Sequence, residues 1–397
     1  TLRASGDSYL LACSARDNAR DQRLFAMCEV RAANSVGKER ATWHAMELAL
    51  LKCLDLLRQQ QCSYPGRNPW SWNRVVLYLE PEWDGGVEEL KRLAERIAPA
   101  TRGLALEQIV LRLRTREEGS ATASDAVAIL SVPAGVGIQI GFKEPSDQPI
   151  RSLTDYRAKS AEMKRLGFIY PYDIVRLLTS PGVAHSDFPP GRFVEYDLDA
   201  DLQFVATDRP YGRNSANLVV GTVTNFTAKH PDGIGRVLIL NDPSKSLGSL
   251  GEAECRRILT ALRIARERGI PVEWFAVSSG ARVAMASGTE NMDWTARVLR
   301  EIVEFTQAGG EINIIVTGIN VGAQSYWNAE ATMLMHTRGI LIMTGDSAMV
   351  LTGKHALDYS GAVSAENNAG IGGYDRIMGP NGEAQYCARD VEAACGL

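Results

Sequence analysis

Residues 271–285, Pro271-Val-Glu-Trp-Phe-Ala-Val-Ser-Ser-Gly-Ala-Arg-Val-Ala-Met285, decide the fold. The first half is a β-type run with apolar residues on both faces, as in a strand inside a covered sheet. The second half ends it on Ser278-Ser-Gly-Ala-Arg282 and leads towards a helix. A Gly-Ala pair at such a junction leaves backbone N–H groups unpaired and uncovered by side chains. Donors of that kind stabilise an oxygen that becomes negative during a reaction. A second junction follows: Ile312-Asn-Ile-Ile-Val316, then Gly318, then Gly322-Ala323 after Asn320, then a helix-compatible run. No Ser-His-Asp set lies near either. The pair points to chemistry run on backbone donors rather than on a side-chain nucleophile. Each junction also has a plain reading, a tight turn with Ser279 as helix cap and glycine for close packing. Arg282 beside a positive helix end suits a carboxylate or phosphate, or else a surface ion pair.

Working outward, strands are expected at 218–226 and 236–240, a helix at 252–268, another near 294–306, a helix over 323–335 and a strand at 339–343. This alternation predicts an α/β domain whose mainly parallel sheet is covered by helices. Residues 154–178 read as helix, short loop, helix, after a linker at Glu144-Pro-Ser-Asp-Gln-Pro149. Before it, helices at 41–61 and 87–97, strands at 74–80 and 109–114, and a hairpin over 126–142 predict a smaller α+β domain. The boundaries expected are 1–148 and 149–397.

The formal net charge of −4 gives no field that would gather nucleic acid, and no apolar run reaches the roughly 18–20 residues that span a bilayer. Seven cysteines without a C-x-x-C pattern support neither a zinc ribbon nor a redox dithiol. They suit a reducing cytoplasm. The five histidines show no paired spacing, so no metal is expected. A first residue of Thr points to a piece of a longer protein. Asn241-Asp242 ends a strand, where open α/β sheets place ligands; an Asx turn is the simpler reading. Lys245 and Gly248 lie in a Ser/Gly-rich segment without the order of a nucleoside-triphosphate loop. Trp70, Trp72 and Trp83 read as packing anchors.

Ser278-Ser-Gly-Ala-Arg282, Leu240-Asn-Asp242 with Gly248-Ser-Leu-Gly251, and Ile315-Val-Thr-Gly-Ile-Asn-Val-Gly-Ala323 together resemble the N-terminal half of the carboxyltransferase of biotin-dependent acyl-CoA carboxylases. Leu351-Thr-Gly-Lys-His-Ala-Leu357 is similar to a run of the same family. Leu166-Gly-Phe-Ile-Tyr-Pro-Tyr-Asp-Ile174 resembles the start of that domain in the single-chain, eukaryote-type enzymes. Residues before 150 resemble, by order of elements, the last central, non-catalytic domain of that type. The resemblance implies a crotonase-like (ClpP/crotonase) fold, with ββα units stacked in a superhelix. It implies that amides near Gly280 and Ala281 hold a thioester oxygen as it becomes an enolate, with the family's second oxyanion site in a C-terminal domain; Gly322 and Ala323, at the second junction, are the other catalytic candidates. Ser279, Arg282, Asn241, Lys245 and Gly248 are then the candidates for substrate and coenzyme A contact. It further implies carboxybiotin on a carrier domain as CO₂ donor, its ureido nitrogen as base, and a biotin carboxylase domain in the same polypeptide. A C-terminal carboxyltransferase half would come from a partner subunit of a homo-oligomer. The activity implied belongs to fatty acid biosynthesis, with acetyl-CoA or a related acyl-CoA as substrate. Ala286-Ser-Gly-Thr-Glu290 departs from the family's acidic helix start, which leaves the acyl group open.

Two other readings remain at this point. One is a stand-alone crotonase-like hydratase, isomerase or hydrolase with Glu290 or Asp293 as its carboxylate. The other is a scaffold without catalysis, which could hold for the first domain alone.

Overall fold

Leu24, Ala26, Cys28 and Val30 alternate along Gln22–Val30 and are all buried, so this strand shows its apolar edge to one side only. It lies in the first of two compact units, Thr1–Arg165 and Leu166–Leu397. The computed structural model describes residues 2–16, 18, 21–31, 38–64, 70–83, 86–115, 124–131, 139–146, 150, 152–179, 188–283, 290–333, 337–361 and 364–397.

The first unit is a seven-stranded sheet: β1 (Arg3–Ser5), β2 (Ser8–Ser14), β3 (Gln22–Val30), β4 (Asn73–Trp83), β5 (Leu106–Thr115), β6 (Ser124–Ser131) and β7 (Gln139–Lys143), side by side in that order. β3, β4 and β5 are parallel. Helices α1 (Lys38–Cys62) and α2 (Val87–Ile97) make the crossovers that parallel strands require. Met46, Leu50 and Leu54 of α1, and Leu90 and Leu93 of α2, join Leu24, Leu77 and Leu111 in one core. β1 to β3 were not foreseen, although the alternation in β3 was readable. Trp70 and Trp83 are buried, and Trp83 meets Trp43 edge-on at 4.5 Å. α3 (Asp155–Arg165) closes the unit. Leu153 and α3 thus belong to the first compact unit, which ends at Arg165. The physical tie is at Leu153, whose N–H donates to Asp21 Oδ2 at 2.7 Å and whose carbonyl accepts from Asn18 at 3.3 Å.

The second unit begins with α4 (Pro171–Leu178), β8 (Gly191–Leu198), β9 (Phe204–Ala206), β10 (Leu218–Asn225) and β11 (Ile234–Asn241). Then come α5 (Glu252–Arg268), β12 (Val272–Ser278), α6 (Glu290–Gln307), β13 (Ile312–Val321), α7 (Ala323–Thr332), β14 (Leu341–Thr344), β15 (Ala348–Val350) and β16 (Tyr386–Ala388). The sheet order is β16-β14-β13-β12-β11-β10-β8-β9, with β15 also on β13. The strands from β11 to β16 run parallel, but β10, β8 and β9 extend the sheet antiparallel. The expected mainly parallel sheet is thus mixed. Ile258 and Leu262 of α5 and Val298 and Ile302 of α6 pack on Trp274 and Ile314, which fixes the ends of β12 and β13 side by side. Among the described residues no helix is long and apolar enough to cross a membrane.

Candidate active site

The end of β12 is built by a strained partner. Ser246, Leu247 and Gly248 all have left-handed φ values of 48°, 51° and 65°. Non-glycine residues there cost about 1–2 kcal/mol each. The strain is held by hydrogen bonds to the β12 end. Ser279 N–H donates to Leu247 O at 2.9 Å, Ser278 Oγ to Gly248 O at 2.8 Å, and Ser279 Oγ to Ser246 O at 3.0 Å. The sequence leads one to expect a helix directly after Gly280, but the chain does not enter one there. Ala281 forms a short parallel bridge with Leu250, and α6 starts at Glu290.

That bridge decides which amide is free. Gly280 N–H donates to Ser278 Oγ at 3.1 Å, so it is capped internally. Leu250 N–H donates to Gly280 O at 2.9 Å, and Arg282 N–H donates to Leu250 O at 2.7 Å. Strand alternation then turns the Ala281 N–H to the opposite side. There it has no acceptor among the described residues. Gly280 sits at φ 93°, and a Cβ added to it would be 3.1 Å from Val321 O. The turn thus lies against the last residue of β13.

The second junction is what Gly280 touches. β13 runs to Val321, beyond the expected Val316, and Gly322 at φ 58° turns it into α7. Gly322 N–H is taken by Val350 O at 2.9 Å. The Ala323 N–H, first in α7, has no acceptor among the described residues, and Tyr326 N–H to Gly322 O at 3.2 Å closes the first helical turn. Ala281 and Ala323 are both partly exposed. Of the four residues predicted for the two junctions, the fold brings all four together, but leaves free the amides of the alanines rather than of the glycines.

The other predicted contacts divide. Ser279 and Arg282 are exposed, and the Arg282 guanidinium has no acceptor among the described residues. Asn241 is buried, accepts from Trp274 Nε1 at 2.8 Å and donates to Gln324 Oε1 at 3.3 Å, so it braces the core rather than facing solvent. Lys245 is drawn onto the carbonyls of Asn214 and Ser215. Gly248 serves close approach, since a Cβ there would be 2.3 Å from Val277 O. All three placements share one cause: the turn after β11 is packed under β12 instead of opening outward. It is anchored further by Asn214 Nδ2 to Asp242 Oδ2 at 2.8 Å.

Behind it, Asp197 accepts from Arg257 Nε at 2.8 Å and pairs with Arg209. Burial pushes the Asp197 carboxyl up, but Arg209 and Arg257 outweigh it and hold it below the ordinary aspartate range. Glu195 goes the other way, because burial dominates over its Arg209 pair. Burial also pushes the Cys255 thiol up to about 12, which leaves no thiolate there at neutral pH. A cleft of about 410 Å³ lies beside Glu366, Asn367 and Tyr374 and is lined by neither junction. Asp293 of α6 is exposed, and the Glu290 side chain lies outside the described residues.

Residues 187–396, just over half of the chain, match the carboxyl transferase domain family. The chain belongs to that family. A carboxyl transferase domain has the crotonase fold, which is the fold of the second unit. The chain is 24% identical to the acetyl-CoA carboxylase of Dictyostelium discoideum over 54% of its own length and 12% of that protein. It is 33% identical to the acetyl-CoA carboxylase of Schizosaccharomyces pombe over 25% of its own length and 4% of that protein. The chain thus spans a small part of the curated relatives it matches. The β subunit of a geranyl-CoA carboxylase from P. aeruginosa is similar in structure over 59% of this chain and 39% of that one, at 18% identity and a TM-score of 0.45.

Proposed function

We propose that this carboxyl transferase domain is the N-terminal half of the carboxyltransferase of a biotin-dependent acyl-CoA carboxylase. The observation that carries the reading is the pair of uncapped amides, Ala281 N–H and Ala323 N–H, on two junctions in contact. Two unpaired donors on neighbouring junctions suit a thioester oxygen that gains charge when the α proton leaves. One such donor is worth about 3 kcal/mol of barrier. The residues here hold the thioester and its enolate, while Arg282 meets a phosphate or carboxylate of the bound acyl-CoA.

Carboxybiotin supplies the carboxyl group when it is bound. The donors described here fit the acyl-CoA side of that exchange, and no residue of this chain is assigned to hold biotin. A carrier domain, a biotin carboxylase domain and a second carboxyltransferase half from a partner subunit complete the enzyme, in a cytoplasmic homo-oligomer. Val283, Tyr326 and Leu351, next to the two junctions, are 98%, 57% and 64% exposed, apolar surface that a second half would cover.

The test is to assemble the chain with that second half and measure biotin-dependent decarboxylation of malonyl-CoA or methylmalonyl-CoA. Activity that requires both halves and biotin supports the reading. Hydratase or hydrolase activity of the 397 residues alone would replace it with the stand-alone crotonase-like enzyme.

A further inference from the structure

A column of buried amides runs under the second junction. Trp274 Nε1 donates to Asn241 Oδ1 at 2.8 Å, Asn241 Nδ2 to Gln324 Oε1 at 3.3 Å, and Gln324 Nε2 to Asn328 Oδ1 at 2.9 Å. Trp274, Gln324 and Asn328 are 0% exposed and Asn241 is 4% exposed. Asn328 Nδ2 is buried without a partner among the described residues. The surrounding core is apolar, with Trp327, Ala331 and Ile239 among its members.

Such a column is a poor way to gain stability. Apolar side chains of the same volume would fill the space and leave no orphaned donor. What hydrogen bonds add, and apolar contacts lack, is direction. Gln324 follows Ala323 in the first turn of α7, and Asn241 and Trp274 stand on β11 and β12. The column therefore fixes the rotation and height of the α7 start against β11 and against β12, the strand that ends at the first junction.

We propose that Gln324 is a positioning residue for the carboxyl transfer: through Asn241 and Trp274 it holds the Ala323 amide at its aim. This rests on the functional reading given above. Gln324 touches no reacting atom. A helix start freed to shift by about 1 Å is enough to lower a rate about 100-fold.

The experiment uses the assembled carboxylase, with kcat, KM for acyl-CoA and the melting temperature measured together. Gln324→Met keeps length and helix compatibility but removes both hydrogen bonds. It is expected to lower kcat 10- to 100-fold with KM for acyl-CoA within threefold, while the melting temperature falls by several degrees because Asn241 and Asn328 are left unpaired. Asn241→Ala cuts the column at the strand and leaves α7 intact; it should give the same split. It also decides the matter if Gln324→Met does not fold. The double variant should lose no more than the worse single one, because both break one device. A kcat within twofold of wild type in a folded variant, with wild type active, overturns the positioning role and leaves the carboxyltransferase reading standing. Inactive wild type overturns both.

Discussion

Gly280→Val in the assembled carboxylase is expected to lower carboxyl transfer by about 100- to 1,000-fold, the range seen when one oxyanion donor is lost. The reason is backbone geometry. Gly280 sits at φ 93°, a region closed to a β-branched residue, and the new Cβ would be 3.1 Å from Val321 O. The chain must rotate, and the peptide that rotates carries the Ala281 N–H. The loss should fall on kcat more than on KM, because the oxygen gains its charge only as the reaction proceeds. Gly86→Ala is the control. A Cβ there meets no atom within 4 Å and Gly86 has φ −86°, so activity should stay as it is, with stability lowered by no more than about 1 kcal/mol through the weaker helix cap. Unchanged transfer in a folded Gly280→Val enzyme would remove the oxyanion role from this turn.

Gly248→Ala is expected to act on stability instead, by about 3 kcal/mol. The added methyl would lie 2.3 Å from Val277 O, a backbone atom that cannot swing aside. It would also sit at φ 65°, beside two residues already left-handed. The turn must lift from β12, and lifting breaks the hydrogen bonds from Ser278 and Ser279 that hold its strain. A unit of this size should melt roughly 6–12 °C lower. Thermal unfolding of the 397-residue chain followed by circular dichroism reads this directly. A shift under 2 °C would show that the turn is looser than described.

Much of the fold was legible because its signals are local. The helices at 252–268 and 87–97 announce themselves by apolar spacing, Ile258, Leu262 and Ala265 in one and Leu90, Leu93 and Ile97 in the other, all of them buried. β12 and β13 are apolar on both faces, and residues of both faces, Trp274 and Phe275, Ile314 and Ile315, are buried. β8 was missed: Gly191–Leu198 interleaves Phe193 and Tyr196 with Arg192, Glu195 and Asp197, carboxylates buried by arginine pairs that no alternation rule anticipates. The site was legible as two Gly-Ala turns, and they do meet. Which amide is free was not, because that depends on Leu250, a residue distant in sequence that takes one edge of the turn. The partners of Asn241 and Lys245 were not legible for a similar reason. A strand end locates a ligand site, but whether a side chain there faces the ligand or the core is set by neighbours such as Trp274 and α7.

The central claim is tested most directly by a crystal structure of the assembled enzyme with an acyl-CoA bound. The account predicts the thioester oxygen about 2.7–3.1 Å from the nitrogens of both Ala281 and Ala323. A thioester oxygen lodged elsewhere, with both amides donating to protein acceptors, would contradict it.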